Sequence, residues 1–465
     1  MKILPRLATL ALLLHCVLQA AERPNVVFFI SDDHGYLDSP VYGSRAVRTP
    51  NLEKIAAAGA KFTNAFVGSP SCAPSRAILL TGLMSARNGV EANHTAPREG
   101  LKVLPQTMDA LGYDVALFGK VAHGKDPRWD PYVHDAVIRH GPLDLDLQPE
   151  KVVEYLEGRS KDRPAFLMVG THSPHVYWPP NNGYDPKEVE LPPNFIDTPE
   201  TRRYRTMYYT DISLMDERLG VVYDAVRKHL GDNTLFVYTS DHGAQWPFGK
   251  WNLYDSGIRT PLLAVWPGVI QAGSVNPALV SFVDFLPTFV EMAGARPPGW
   301  IDGRSFLPVL RGESRKHRDE VYATHSGDGR MNVYPCRAIR TERYKLIVNL
   351  YPEFRYTTHI DKGKNPDGLE FWYSWEDAAK QDPAAARIIR AYHERPAEEL
   401  FDLSSDPYEM HNLADDPALA ALKGELRAKL DEWMALQNDQ RKYFAEPRLL
   451  ANPEEPAQGA PPERR

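Results

Sequence analysis

A doubly wound α/β sheet flanked by helices, followed by a smaller α+β unit, is the fold this sequence predicts. Three observations carry that expectation. Short apolar runs ending in polar or ionisable residues recur along most of the chain. Helical patterns lie between them. After about residue 315 the pattern changes to a hairpin and an amphipathic helix.

The elements follow in order. Lys2 and Arg6, an apolar run over 7–14 and Leu18-Gln19-Ala20 read as a cleavable secretory signal over 1–21. The expected location is the periplasm or the cell exterior, or the lysosome in a eukaryote. No later apolar stretch has the length of a membrane span. Residues 25–30 (NVVFFI) run into Ser31-Asp32-Asp33-His34-Gly35, and 113–118 (YDVALF) into Gly119-Lys120 and His123. Residues 165–169 (AFLMV) run into Gly170, His172, Pro174 and His175, and 235–239 (LFVYT) into Ser240-Asp241-His242-Gly243. A fifth run, 262–266 (LLAVW), ends in Pro267-Gly268. Continuous apolar runs of this length suit strands buried on both faces of a parallel sheet. Helical patterns fall over 51–58, 105–111, 150–156 and 206–228. In doubly wound sheets ligands bind outside the carboxyl ends of the strands. Four of the five runs deliver ionisable residues there.

This domain is expected over 22–330. Beyond it, 336–349 (CRAIRTERYKLIVN) reads as a β-hairpin turning near Thr341-Glu342-Arg343. Leu419, Leu422, Leu426, Leu430 and Trp433 recur at helical spacing. An amphipathic helix over 417–437 should therefore pack on the small antiparallel sheet, in a unit over 331–446. Residues 447–465, rich in Pro, Glu and Ala, are expected to form a disordered tail.

The chain of 465 residues has a formal net charge of −7 and lacks the basic surplus of a nucleic-acid binder. An anionic substrate remains compatible, because local Arg, Lys or metal ions can dominate one cleft. Removal of the signal takes Cys16 and leaves Cys72 and Cys336. Either these form one disulfide, or Cys72 serves chemistry and Cys336 is a small buried hydrophobe.

Asp32-Asp33 and Asp241-His242 end two runs expected to be neighbouring strands. Adjacent carboxylates repel unless a cation lies between them, and oxygen-rich ligation favours Ca²⁺ or Mg²⁺. Either pair alone could equally cap a turn; two pairs on one sheet edge favour a metal. Pro74 suits a first helical turn, which puts Cys72 near a helix N-terminus. There the helix dipole and Arg76 would favour negative charge. A Cys-x5-Arg phosphatase loop would need Arg at position 78, which is Ile78. A papain-type Cys–His pair has no local support. Asn93-His94-Thr95 matches a glycosylation sequon, and His94 could instead line a substrate pocket.

Cys72-Ala73-Pro74-Ser75-Arg76, continuing to Leu80-Thr81-Gly82, resembles the C-x-P-S-R signature of the type I formylglycine-dependent sulfatases of the alkaline phosphatase superfamily. The resemblance covers nearly the whole mature chain. Ser31-Asp32-Asp33 and Ser240-Asp241-His242-Gly243 fit the family's two metal pairs. Gly112-Tyr113 with Gly119-Lys120 and His123, Pro174-His175, Lys250, and Gly257-Ile258-Arg259-Thr260-Pro261 fit its further elements. Glu399-Leu400-Phe401-Asp402-Leu403, then Asp406-Pro407 and Asn412-Leu413-Ala414, resembles its C-terminal signature.

The resemblance implies an alkaline-phosphatase-like fold, with a doubly wound mixed sheet flanked by helices, and a set of roles. Cys72 would be oxidised to Cα-formylglycine by a formylglycine-generating or equivalent maturase, and the hydrated aldehyde would be the nucleophile. Asp32, Asp33, Asp241 and His242 would hold one Ca²⁺ together with formylglycine 72; His242 stands where many relatives have Asn. Arg76 and Lys120 would orient the hydrate. His175 with Lys250 would protonate the leaving group, and His123 would deprotonate the second hydroxyl to expel sulfate. His94, Asp328 and Arg330 are the expected substrate contacts. Without the family pattern, His123 and His175 read as core histidines and Lys120 and Lys250 as surface lysines.

Residues 324–337 (THSGDGRMNVYPCR), 344–350 and 246–255 (WPFGKWNLYD) resemble the heparan N-sulfatase (sulfamidase) branch, with Lys250 in place of its Arg. The motif at 257–261 is more typical of sulfatases at large, and iduronate-2-sulfatase-like enzymes are close. The expectation is a glycan sulfatase, with N-sulfoglucosamine of heparin or heparan sulfate as the leading substrate. The acidic balance favours chain ends or small oligosaccharides over a gripped polymer. Rivals are a phosphomonoester or phosphonate monoester hydrolase of the same superfamily, an iduronate-2-sulfatase-like O-sulfatase, and a Ca²⁺-dependent glycan-binding pseudoenzyme. The intact set of Cys72, Arg76, Lys120, His123, His175 and Lys250 argues against the last. Oligomerisation is left open.

Overall fold

The computed structural model describes residues 23–135, 146–329, 331–362 and 370–452. The expected signal over 1–21, Arg330 and residues 453–465 of the expected tail lie outside the described residues.

Seven strands form the large sheet: β1 (Asn25–Ser31), β2 (Ala60–Phe66), β3 (Asp114–Gly119), β4 (Ala165–Gly170), β5 (Thr234–Ser240), β6 (Arg259–Val265) and β7 (Ser274–Ser281). Their order is β3-β4-β1-β5-β6-β2-β7. β3, β4, β1 and β5 are mutually parallel, as are β2 and β7; β6 pairs antiparallel with both β5 and β2. β6 departs from the parallel sheet that the apolar runs suggested, and its reversal explains the fifth run. Pro267-Gly268 leaves β6 at the far edge, and Gly257 to Arg259 enter it at the edge where β1 and β5 end.

Val26 to Ile30 of β1 are fully buried, as a strand covered on both faces must be. Phe28 meets Phe285 and Phe289 of the helix Phe285–Met292 edge to face, with centroids 5.0 and 6.0 Å apart. The helices Pro50–Ala58, Pro149–Gly158 and Pro199–Leu230 pack together as one layer, and Cys72–Thr81, Leu104–Ala110 and Phe285–Met292 as another. The longest, of 32 residues, starts ahead of its expected position because Thr198 caps it, accepting from Thr201 N at 3.1 Å, and Pro199 pre-sets its first turn. Where β3 and β4 end, Gly119 and Gly170 approach closely. A Cβ on Gly119 would sit 2.0 Å from Gly170 O, and one on Gly170 2.1 Å from Lys120 O.

The second sheet holds β8 (Glu320–His325), β9 (Cys336–Thr341), β10 (Tyr344–Asn349) and β11 (Glu398–Asp402) in the order β11-β10-β9-β8, antiparallel throughout. It begins ahead of residue 331. Leu426, Leu430 and Met434 of the helix Ala420–Leu436 pack on Ile339, Leu346, Val348 and Leu400. Two helices between β10 and β11, Phe371–Ala379 and Pro383–His393, have no counterpart in the sequence reading. Residues 447–452, counted with the tail, are held: Leu449 bridges Phe354, and Arg355 N–H donates to Arg448 O at 2.7 Å. Among the described residues no helix is long and apolar enough to cross a membrane.

A buried charge cluster joins the small sheet to the large domain. Lys345, fully buried, lies 2.6 Å from Asp255 Oδ1 and 2.7 Å from Glu409 Oε1, and donates to Leu253 O at 3.1 Å. Arg340 Nη2 lies 3.1 Å from Asp255 Oδ2. The small sheet thereby grips the loop that follows Lys250.

Candidate active site

The register of β1 on β5 pairs Ser31 with Ser240, so Asp32 and Asp241 emerge side by side. Asp241 N–H donates to Ser31 O at 3.0 Å, and Asp33 N–H to Asp241 Oδ1 at 3.1 Å. Asp33 takes a left-handed φ of 67°, a conformation Asp tolerates better than most residues. Tyr208 fixes that turn, donating to Asp33 O at 3.0 Å and accepting from Gly35 N at 2.9 Å.

The helix Cys72–Thr81 begins at Cys72, after extended Ser71, and every residue in it is buried. Cys72 Sγ lies 3.5 Å from Asp32 Oδ1 and 3.4 Å from His242 Nε2. Arg76, one turn on and therefore on the same face, donates from Nε to Asp241 Oδ2 at 3.0 Å. Its Nη2 lies 3.4 Å from Asp32 Oδ1, and its Nη1 reaches Lys120 O. Lys120 Nζ bonds Asp32 Oδ2. Lys250 donates to Asp33 Oδ2 at 2.9 Å and to Gln245 Oε1 at 3.3 Å. His175 Nε2 stands 3.8 Å from Asp33 Oδ2, and its Nδ1–H donates to Val176 O at 2.7 Å. Nine of the sequence-predicted site residues thus converge: Asp32, Asp33, Cys72, Arg76, Lys120, His175, Asp241, His242 and Lys250.

The electrostatics of this cluster are those of charges without water. Burial raises the pKa of Asp32, but Lys120 and Arg76 outweigh it and hold the carboxylate ionised, well below its usual range. Burial and then Asp32 push Asp241 well above that range. Burial, opposed by Lys250, carries Asp33 up to about 7. Asp33 Oδ1 is buried without a hydrogen-bond partner. Three mutually repelling carboxylates, one with an orphaned oxygen, fit a hard divalent cation. Asp32, Cys72, Asp241 and His242 offer ligand atoms all within 4.8 Å of one another. The imidazole of His242 is held neutral, its pKa driven well below the usual range by burial and Lys250, as a ligand must be.

The thiol departs from the sequence expectation. Burial first, then Asp32, push the Cys72 pKa well above its ordinary value. The guanidinium of Arg76 is spent on Asp241 and Asp32, so neither it nor the helix dipole yields a thiolate. Cys72 and Cys336 are both free and buried, which removes the disulfide alternative.

His123, His94 and Asp328 form a second group. His123 Nε2 lies 3.0 Å from His94 Nδ1, and His94 Nε2 lies 3.3 Å from Asp328 Oδ1. Arg330, predicted beside them, lies outside the described residues. Three features of the site escaped the sequence. Asn93 is buried and accepts from Ala73 N at 2.8 Å, so it braces the start of the Cys72 helix and is no exposed glycan acceptor. Trp251 donates to Asp328 Oδ2 at 3.0 Å. His359, from beyond the small hairpin, stacks on Trp251 with centroids 5.0 Å apart. No spacing in the sequence signals these long-range contacts. The His172 ring lies tilted against that of His175 with centroids 4.7 Å apart, and the backbone N–H of His172 donates to Asp146 Oδ1 at 2.6 Å.

A mixed α/β sheet whose carboxyl edge gathers buried carboxylates, buried cations and a helix-starting cysteine defines a hydrolase of anionic esters. Residues 24–295 match the family model described as Sulfatase, and residues 242–385 match that for N-sulphoglucosamine sulphohydrolase, C-terminal. The chain is 34% identical over 433 residues to an ulvan-active sulfatase of Formosa agariphila, covering 90% of this chain and 81% of that one. It is 29% identical to the N-sulphoglucosamine sulphohydrolase of Homo sapiens, covering 92% of this chain and 93% of that one. A protein solved in complex with its substrate D-glucosamine-2-N,6-O-disulfate superimposes with a TM-score of 0.68 at 22% identity, over 90% of this chain and 99% of that one. The chain belongs to the sulfatase family, within the alkaline-phosphatase-like superfamily, and is a sulfuric ester hydrolase.

Proposed function

We propose that this protein removes sulfate from sulfated saccharides, with N-sulfoglucosamine as the leading substrate. Ca²⁺ held by Asp32, Asp33, Asp241 and His242, and Cα-formylglycine made from Cys72 by a maturase, complete the site in an exported protein. The observation that supports this is the meeting of Cys72 with three buried carboxylates and three buried cations. When present, the hydrated aldehyde and the ion supply a hydroxyl nucleophile and a Lewis acid for the sulfate oxygens.

The chain's own residues do the rest. Arg76, Lys120 and Lys250 stand ready to offset the charge that develops on sulfate oxygens, at no cost of reorganisation. Burial opposes the charge on Lys250, but Asp33 and Asp32 outweigh it and keep the ammonium protonated. Burial, Lys250 and Lys120 hold His175 neutral, and its Nδ1–H is given to Val176 O. The proton for the leaving nitrogen or oxygen therefore starts on Lys250, with His175 Nε2 beside it as relay. His123 takes the proton whose removal expels sulfate.

The match of residues 242–385 to the N-sulphoglucosamine sulphohydrolase C-terminal model supports an N-linked sulfate. O-sulfate removal is the second reading, favoured by the 34% identity to an ulvan-active sulfatase. Purified protein from a maturing host should be assayed on N-sulfoglucosamine, ulvan oligosaccharides, an aryl sulfate and an aryl phosphate, with mass spectrometry across residue 72. Release of N-sulfate and an aldehyde at 72 are expected. An unmodified thiol in fully active enzyme, or faster phosphate than sulfate turnover, would overturn the reading.

A further inference from the structure

We infer that Asp146 is a positioning residue for His175, its carboxylate clamping the loop that carries this imidazole; the inference rests on the role proposed for His175 in protonating the leaving group. The loop 171–175 follows β4 at the carboxyl edge of the sheet. The His175 ring is tied to its own segment, because Nδ1–H donates to Val176 O at 2.7 Å. Its Nε2 therefore stands where the backbone puts it, and whatever holds that backbone sets the geometry of proton transfer.

Asp146 lies ahead of the helix Pro149–Gly158, remote from this loop in sequence. Its Oδ1 accepts from the backbone N–H of His172 and of Leu147, each at 2.6 Å. Its Oδ2 accepts from the backbone N–H of Ser173 at 3.1 Å and from the Ser173 hydroxyl. A carboxylate offers about four acceptor sites, so these bonds use its capacity, and most of them go to two consecutive loop residues. Bonds to an ionised acceptor are the strong ones. Arg218, from the helix Pro199–Leu230, adds its charge: Nη1 lies 3.3 Å from Asp146 Oδ2 and 3.4 Å from Ser173 Oγ. Asp211, on the same helix and 6% exposed, meets the same serine, and burial and then Asp146 push it up to about 8. At neutral pH it is uncharged, and Asp146 keeps the negative charge that faces Arg218.

The other side of Ser173 meets the active site. Its carbonyl oxygen accepts from the backbone N–H of Asp32 at 3.4 Å and from Thr171 Oγ1–H at 2.9 Å. Further along the loop, His175 N–H donates to His172 O at 2.9 Å, and Trp178 Nε1–H to Pro174 O at 2.8 Å. Ser173 thus couples the clamp to the strand end that bears Asp32. An amide at position 146 keeps one acceptor oxygen and loses the charge. The bonds to Ser173 are then broken, and the loop is free to carry His175 Nε2 away from its place 3.8 Å from Asp33 Oδ2.

The test measures kcat/KM of wild type, Asp146→Asn, Ser173→Ala and His175→Ala on a series of aryl sulfates, with thermal melting as the check of folding. The series runs from para-nitrophenyl sulfate, whose leaving oxygen needs little protonation, to phenyl sulfate, whose leaving oxygen is far more basic. A purely structural loss lowers the whole series equally, whereas a displaced proton donor steepens its dependence on leaving-group basicity. Asp146→Asn should lose about ten- to a hundredfold on phenyl sulfate and less than about threefold on para-nitrophenyl sulfate, part of what a positioned general acid supplies. Ser173→Ala should change the slope in the same direction by less, and it carries the test if Asp146→Asn does not fold. A steeper slope in His175→Ala but an unchanged slope in the folded clamp variants would overturn the inference alone. An unchanged slope in His175→Ala would overturn the role of His175 and the inference with it, and a wild type without sulfate turnover would overturn the proposed function itself.

Discussion

Lys345→Met tests how the small sheet is locked to the catalytic domain. The ammonium stands 2.6 Å from Asp255 and 2.7 Å from Glu409. At an effective dielectric near 20, each contact represents about 6 kcal/mol of gross attraction. Burying the ions costs several kcal/mol each, so the gross figure is not the effect of the mutation. Asp255 keeps Arg340 at 3.1 Å and Arg259 at 3.7 Å, so Glu409 is the group left uncompensated. Breaking a buried pair on one side costs about 3–5 kcal/mol. With an unfolding entropy of about 2 cal/mol/K per residue, a cooperative unit of this size loses about 1 °C for each kcal/mol. The melting temperature should fall by about 3–5 °C. Burial already carries Glu409 up to about 7 against the pull of Lys345. Without Lys345 it rises further, and a raised acid favours the folded state while protonated, so stability is lost as pH increases. The deficit should therefore be larger at pH 8 than at pH 5, and Glu409→Gln in the same chain should recover part of it. A variant melting with wild type at pH 8 would refute the argument.

Three further outcomes are expected. Cys72→Ala should abolish sulfate turnover while its circular dichroism matches wild type, because removing one buried sulfur costs only about 1 kcal/mol; retained activity would exclude residue 72 as the source of the nucleophile. Stripping divalent ions with a chelator should lower the melting temperature, and Ca²⁺ should restore it. The gap should be widest at pH 8 and narrow toward pH 6, because Asp33, raised to about 7, relieves repulsion there by taking a proton. Leu430→Ala, fully buried against the small sheet, should cost about 2–5 kcal/mol by calorimetry.

The strands that carry the site were legible because each is a continuous apolar run with a polar end. β2 (AKFTNAF) and β7 (SVNPALVS) were not, since half-buried positions interrupt them with Lys, Asn and Pro. The direction of β6 was implicit: its ionisable residue, Arg259, precedes the run, where the other four runs are followed by theirs. The metal-facing residues were legible as pairs at strand ends. Asn93, Trp251 and His359 were not, because their roles depend on contacts between segments far apart in sequence. The raised pKa of Cys72 was also hidden. Its neighbours in sequence are a helix start and an arginine, whereas its neighbours in space are Asp32 and a dry interior.

Cys72 is 1% exposed, on a helix with every residue buried. Any enzyme that is to alter this side chain therefore has a deadline. It must meet the segment while the chain is still open, before β1 and β5 close over it. Were Cys72 matured as proposed, folding and modification would compete, and a variant that folds faster would leave more molecules with an unmodified thiol.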